Sequence, residues 1–207
     1  MTDTTLKDDL AYVRDLAEAG QSAPLLGGRF LAWWGGLVTL AYAGHYMIAS
    51  GIIGTGPVGF AYLWIAFAII GVAGYLLLIK SMSADKPGAS SVGNRVEGSV
   101  WMIGGFALAA NFITLAVKSG VTGEAAAEFS TSVPLVFSVY AIGLFTSGAI
   151  AGNQILKNAG YGALAMIALA IWFSGTNEVW AVAAIAAFLT VFIPGVFLLR
   201  QEPKSVV

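Results

Sequence analysis

The chain has 207 residues, 58% hydrophobic and 10% charged, with a mean hydropathy of +0.83. Soluble domains carry about a quarter charged residues, so this composition excludes a water-facing surface over most of the molecule. Ten Lys and Arg against eleven Asp and Glu leave a formal net charge of -1 and no basic field for nucleic acid, and the absence of cysteine removes disulfides, thiolate metal sites and cysteine nucleophiles.

Residues 1–28 predict a cytoplasmic amphipathic helix and a flexible joint. Leu6, Leu10, Val13 and Ala17 recur at helical spacing between Thr4 and Ala19, with Gly20 in the place of a C-cap. Two basic residues, Lys7 and Arg14, face four acids, Asp8, Asp9, Asp15 and Glu18, which disfavours docking on anionic lipid and favours packing on protein. That protein is either the chain's own bundle or a partner. Pro24 and the Gly27-Gly28 pair mark the joint. No short apolar core precedes Phe30, so no cleavable signal is expected.

Six apolar runs follow, at 27–51, 57–79, 99–117, 134–152, 159–174 and 179–199. The first holds no Lys, Arg, Asp or Glu between Phe30 and Ala49, and about 20 such residues cross a hydrocarbon core of about 30 Å. The predicted fold is an all-α integral membrane protein: a six-transmembrane-helix bundle over 29–200 with a cytoplasmic tail at 201–207. Three helical hairpins are one arrangement of it, because Gly35-Gly36 and Ser50-Gly51 match Gly104-Gly105 and Ser119-Gly120, and Pro57, Phe60 and Gly71 match Pro134, Phe137 and Gly148.

Nine of the ten basic residues, Lys118 being the exception, fall on one side of such a bundle if both termini are cytoplasmic. This predicts a multi-pass protein of the plasma (inner) membrane with both ends inside. Small residues four apart predict close helix packing along Gly143, Ser147 and Ala151 and along Gly148 and Gly152 in the fourth run, either within the bundle or in a homo-oligomer. Trp33, Trp34, Trp101, Trp172 and Trp180 fall at run ends, as expected of rings at the headgroup level. Pro194 removes the amide partner of the Thr190 carbonyl, which predicts a bend there, structural or a gating hinge.

Polar groups inside membrane helices point to function. A candidate ligand pocket combines Tyr42, His45, Asn111 and Thr114, the last pair matching the first at the repeat offset. One histidine excludes bis-histidine haem, and no histidine follows residue 45 to serve a rhomboid-type serine. The six runs contain no acid, Glu178 at an outer edge being the nearest, which leaves carboxylate-coupled transport without a residue. No catalytic residue, metal ligand or cofactor is expected. The first functional reading is a non-enzymatic accessory or regulatory protein that sits in the lipid bilayer and binds a membrane or cytoplasmic protein partner through its cytoplasmic face. The second is a small transporter or substrate-binding subunit for a neutral or lipophilic molecule.

Overall fold

The computed structural model describes residues 25–81, 91–123 and 127–202. The segment bearing Leu6, Leu10, Val13 and Ala17 lies outside the described residues, as does the tail from 203. Every regular element among the described residues is helical, as a run of apolar residues must be if its backbone is to satisfy its own hydrogen bonds away from water. The helices are α1 (Gly28–Ala49), α2 (Val58–Ser81), α3 (Val92–Thr122), the single turn α4 (Ala127–Ser130), α5 (Ser132–Ile150) and α6 (Gln154–Trp172). A last long helix joins α7 (Glu178–Ala187), a π-helical turn (Phe188–Phe192) and α8 (Ile193–Gln201).

Among the described residues five helices are long and apolar enough to cross a membrane: α2, α3, α5, α6 and the last, Glu178–Gln201. α1 is not among them, although its 22 residues span about 33 Å. Arg29, His45 and its Trp and Tyr side chains lower its apolarity. It lies against α2 on one side and against α7, the π turn and α8 on the other, so much of that polarity faces protein.

Contacts at the helix ends show alternating direction. Arg29 reaches Ser81 and Glu202, and Leu26 N–H donates to Asn94, which gathers the start of α1, the end of α2, the end of α8 and the start of α3. Asn177 donates to the Ala49 carbonyl and Asn111 to Ser132 at the opposite end. These are called the arginine end and the histidine end below.

Glycine sets how closely the helices approach. A Cβ on Gly28 would meet the backbone of Leu199, one on Gly35 the backbone of Val191 and Phe192, and one on Gly195 the backbone of Leu31 and Ala32. α1 and the last helix therefore touch main chain to main chain, the approach that small residues permit where lipid supplies no hydrophobic drive. Trp33 and Trp34 of α1 lie over Gly74 and Gly71 of α2, and the Trp33 indole N–H donates to the Gly71 carbonyl at 3.3 Å. Trp101 covers Gly143 in the same way. These indoles are half-buried against neighbouring helices rather than simply anchored at a headgroup layer; Trp172, 79% exposed, alone of the five tryptophans named from sequence is open.

The expected ladders in α5 are corrected in part. Gly143 and Ser147 face Trp101 of α3, and Gly148 faces the start of α6, where a Cβ would meet the Lys157 amide. Ala151 and Gly152 lie beyond the helix end, in the turn to α6, where Gly152 has φ +62°. A chain that reverses this tightly needs the left-handed region, so Gly152 is there for its backbone freedom. Asn153 then caps α6 by accepting from the Ile155 and Leu156 amides.

Positions matched by the repeat offset have different neighbours. Gly35 and Gly36 meet the last helix, Gly104 meets the Val139 side chain, and nothing lies within 4 Å of a Cβ on Gly105. At Pro194 the helix widens before the proline: the Ile193 amide donates to the Phe188 carbonyl five residues back, and the Thr190 hydroxyl donates to Ala186 at 2.8 Å. The missing amide is thus absorbed in a π turn, a feature frequent at functional sites. α2 and α3 flank the rest with exposed apolar faces, among them Ile65, Ile69, Val72, Ile103, Phe106 and Ile113. Water does not tolerate such faces, whereas a bilayer covers them.

Candidate functional site

Two polar constellations lie at opposite ends. At the histidine end α1 brings Tyr42 and His45 to one face, three residues apart. α2 supplies Phe60 and Trp64, and α7 supplies Trp180. The Trp64 indole N–H donates to His45 Nδ1 at 3.0 Å. The imidazole stacks on Trp180, with centroids 3.7 Å apart and planes at 24°, and Phe60 approaches at 4.5 Å. Tyr42 packs on Trp64 and Trp180 at 6.0 and 5.6 Å and is almost wholly buried.

Above this aromatic box lies an open cavity of about 410 Å³. Its walls are His45, Ile48 and Ala49 from α1, Gly56, Pro57 and Phe60 around the start of α2, Ser130, the 175–177 turn and Trp180. Ser130 Oγ accepts from the Gly175 amide at 3.3 Å, which ties α4 to that turn. Among the described residues no charged side chain lines the cavity.

The four residues expected to form one pocket are divided between two places. His45 lines the cavity, and Tyr42 backs it by packing on Trp180. Asn111 instead donates to Ser132 Oγ at 2.8 Å, tying α3 to α5, and Thr114 is exposed; neither lines the cavity. The reason is topological, since α3 packs chiefly on α5, with no comparable packing on α1. Trp64 and Trp180 complete the site. Trp180 reads from sequence as a headgroup anchor, and for Trp64 the available signal was an indole inside a span, a donor that needs an acceptor once it leaves water.

Comparison of the chain with family models, curated proteins and solved structures found no match. The site is therefore read from its chemistry alone.

At the arginine end a helix of the bundle starts before its apolar run and takes in an acid. α3 begins at Val92, because Ser91 accepts from the Asn94 amide as N-cap, and this carries Glu97 into the helix, 4% exposed. Hydropathy alone starts the run at Ser99 and leaves Glu97 in a loop. Its Oε1 accepts from Ser147 Oγ at 2.8 Å, and Ser147 in turn accepts from the Trp101 indole at 3.2 Å. A Cβ on Gly27 would stand 2.7 Å from Oε1, so the glycine joint makes room for the carboxylate. Beside it Arg29 pairs with Glu202 at 2.8 Å. Among the described residues no three His, Asp or Glu side chains converge as a metal site would require.

Ser147→Ala is expected to cost about 1–3 kcal/mol, because it removes a hydroxyl that donates to a buried carboxylate and accepts from the Trp101 indole. Equilibrium unfolding in mixed micelles measures it, with Ser138→Ala as reference: that hydroxyl only returns to the Pro134 carbonyl of its own helix.

Proposed function

We propose that this chain is a six-span inner-membrane protein, both termini cytoplasmic, that binds a small neutral or lipophilic molecule at the outer end of its bundle, as a small transporter or the substrate-binding subunit of one. The observation that carries the reading is the cavity of about 410 Å³, floored by His45, bounded by Phe60 and Trp180 and without a charged side chain among its described lining residues. Pockets of this size, mostly apolar with a few placed polar groups, are the usual form of a small-molecule site. In this reading α1 is the sixth span: its helix is long enough, and its polar side chains are met by Trp64, Ser81 and Glu202. Among the described residues Arg29, Lys80, Arg95, Lys157 and Arg200 lie toward the arginine end and Lys118 toward the other, which supports placing the arginine end in the cytoplasm. The accessory-protein reading draws on residues 1–20, which lie outside the described residues.

Native mass spectrometry of the protein released gently from its own membrane tests the proposal. The expected result is a retained small molecule that is lost in His45→Ala. A retained protein, lost when residues 1–20 are deleted and indifferent to His45→Ala, overturns it in favour of the accessory role.

A further inference from the structure

We infer that Trp64 is a positioning residue that holds His45 as the neutral Nε2–H tautomer, so that the cavity presents one directed hydrogen-bond donor and takes uncharged molecules carrying a carbonyl-type acceptor on a flat apolar body. The inference rests on the small-molecule reading above and names the ligand class for that cavity.

An indole N–H is a donor and never an acceptor, so the atom it meets at 3.0 Å, His45 Nδ1, carries the lone pair. In a neutral imidazole the proton then sits on Nε2. An imidazolium has no acceptor nitrogen, so protonating His45 breaks the contact with Trp64. The ring is gripped by Trp180 on one face at 3.7 Å and approached by Phe60 at 4.5 Å, which fixes its plane as well as its tautomer. His45 lines the cavity, and with Nδ1 taken by the indole, Nε2 is the ring nitrogen left to meet a ligand.

The other polar groups in the wall are engaged with the protein. Asn177 donates to the Ala49 carbonyl, Thr176 Oγ1 donates to the Phe173 carbonyl, and Ser130 Oγ accepts from the Gly175 amide. Among the described residues the wall holds no cation for an anionic ligand, and Glu178, which meets Thr176 beside it, is fully exposed and screened by water. The Trp180 face toward His45, which an ammonium group would need for a cation–π contact, is covered by the imidazole. What remains complementary is an acceptor for Nε2–H and a planar apolar surface against Phe60 and the edge of Trp180.

His45 is the one histidine of the sequence, so nitrogen labelling of histidine yields a single imidazole in the full chain. Nitrogen NMR in lipid nanodiscs is expected to show a pyridine-type Nδ1 and a pyrrole-type Nε2, and Trp64→Phe, which keeps the ring and removes the N–H, is expected to mix the tautomers. Two probes of similar shape then read the donor: menadione, with carbonyls, and methylnaphthalene, without. Menadione is expected to bind about tenfold tighter, the worth of one net hydrogen bond, with an Nε2 shift on binding. The preference is expected to shrink in Trp64→Phe and to vanish in His45→Phe, which keeps a ring against Trp180. A protonated Nδ1 in the unaltered protein, or a preference that survives Trp64→Phe in full, overturns the inference. Equal binding of both probes overturns it while leaving the small-molecule reading standing. No shift with either probe overturns both.

Discussion

Gly35→Leu is expected to destabilise the bundle by about 3 kcal/mol, among the largest effects of any single substitution here. A Cβ at Gly35 would stand 2.6 Å from the Phe192 amide nitrogen and 2.8 Å from its Cα, and main chain cannot step aside as a flexible side chain can. The last helix would have to move away from α1, taking with it the neighbouring contacts at Gly28 and Gly195. It would also pull Trp180 from beneath His45, so the cavity at the far end should lose its floor. Gly105→Leu is the matched control: nothing lies within 4 Å of a Cβ there, and its effect is expected within about 0.5 kcal/mol. Unfolding of both variants in mixed micelles measures the difference. Equal stabilities would mean that α1 and the last helix do not meet through their backbones.

Arg29→Met is expected to cost about 3 kcal/mol, because it removes the cation from a desolvated carboxylate rather than merely deleting an attraction. Glu202 has a side chain 3% exposed and meets the guanidinium at 2.8 Å; Arg29 itself is 14% exposed. The pair joins the first turn of α1 to the end of α8 across 173 residues of sequence, at the end that also holds buried Glu97. Replacing both partners, Arg29→Met with Glu202→Leu, is expected to recover most of the loss, since the desolvated charge then disappears with its partner. A double-mutant cycle checks this. Additive losses from the two single changes would show that the pair contributes no coupling.

The helical class and the approximate place of each run were legible because each run is long, apolar and nearly free of charge, and an isolated segment in lipid satisfies its own backbone only as a helix. The chain was less legible at the run ends. Hydropathy averages over a window and leaves Glu97 before the run, whereas the helix starts where Ser91 and Asn94 form a cap. The Pro194 interruption was visible, but its outcome was not: a missing amide is compatible with a kink or with the π turn at Phe188–Phe192, and packing against α1 at Gly35 and Gly195 accompanies the latter. Half of the expected pocket came from one helix, where spacing puts Tyr42 and His45 on one face. The other half, Asn111 and Thr114, was assigned through a repeat offset, and a repeat in sequence says nothing about which helix packs on which.

The sequence by itself determined what any segment can settle locally: helix rather than strand, an apolar surface that water would reject, the basic bias of one end, and a proline whose carbonyl partner must go elsewhere. These depend on neighbours within a turn or two along the chain. Only the tertiary structure decided that Trp64 gives its proton to His45, that Trp180 lies beneath that ring, that Ser147 serves Glu97, and that Arg29 meets Glu202. Each of these joins residues between 19 and 173 positions apart. Which distant helices become neighbours is set by where glycines let backbones touch and where indoles find a hollow to fill, a three-dimensional fit that no residue encodes alone.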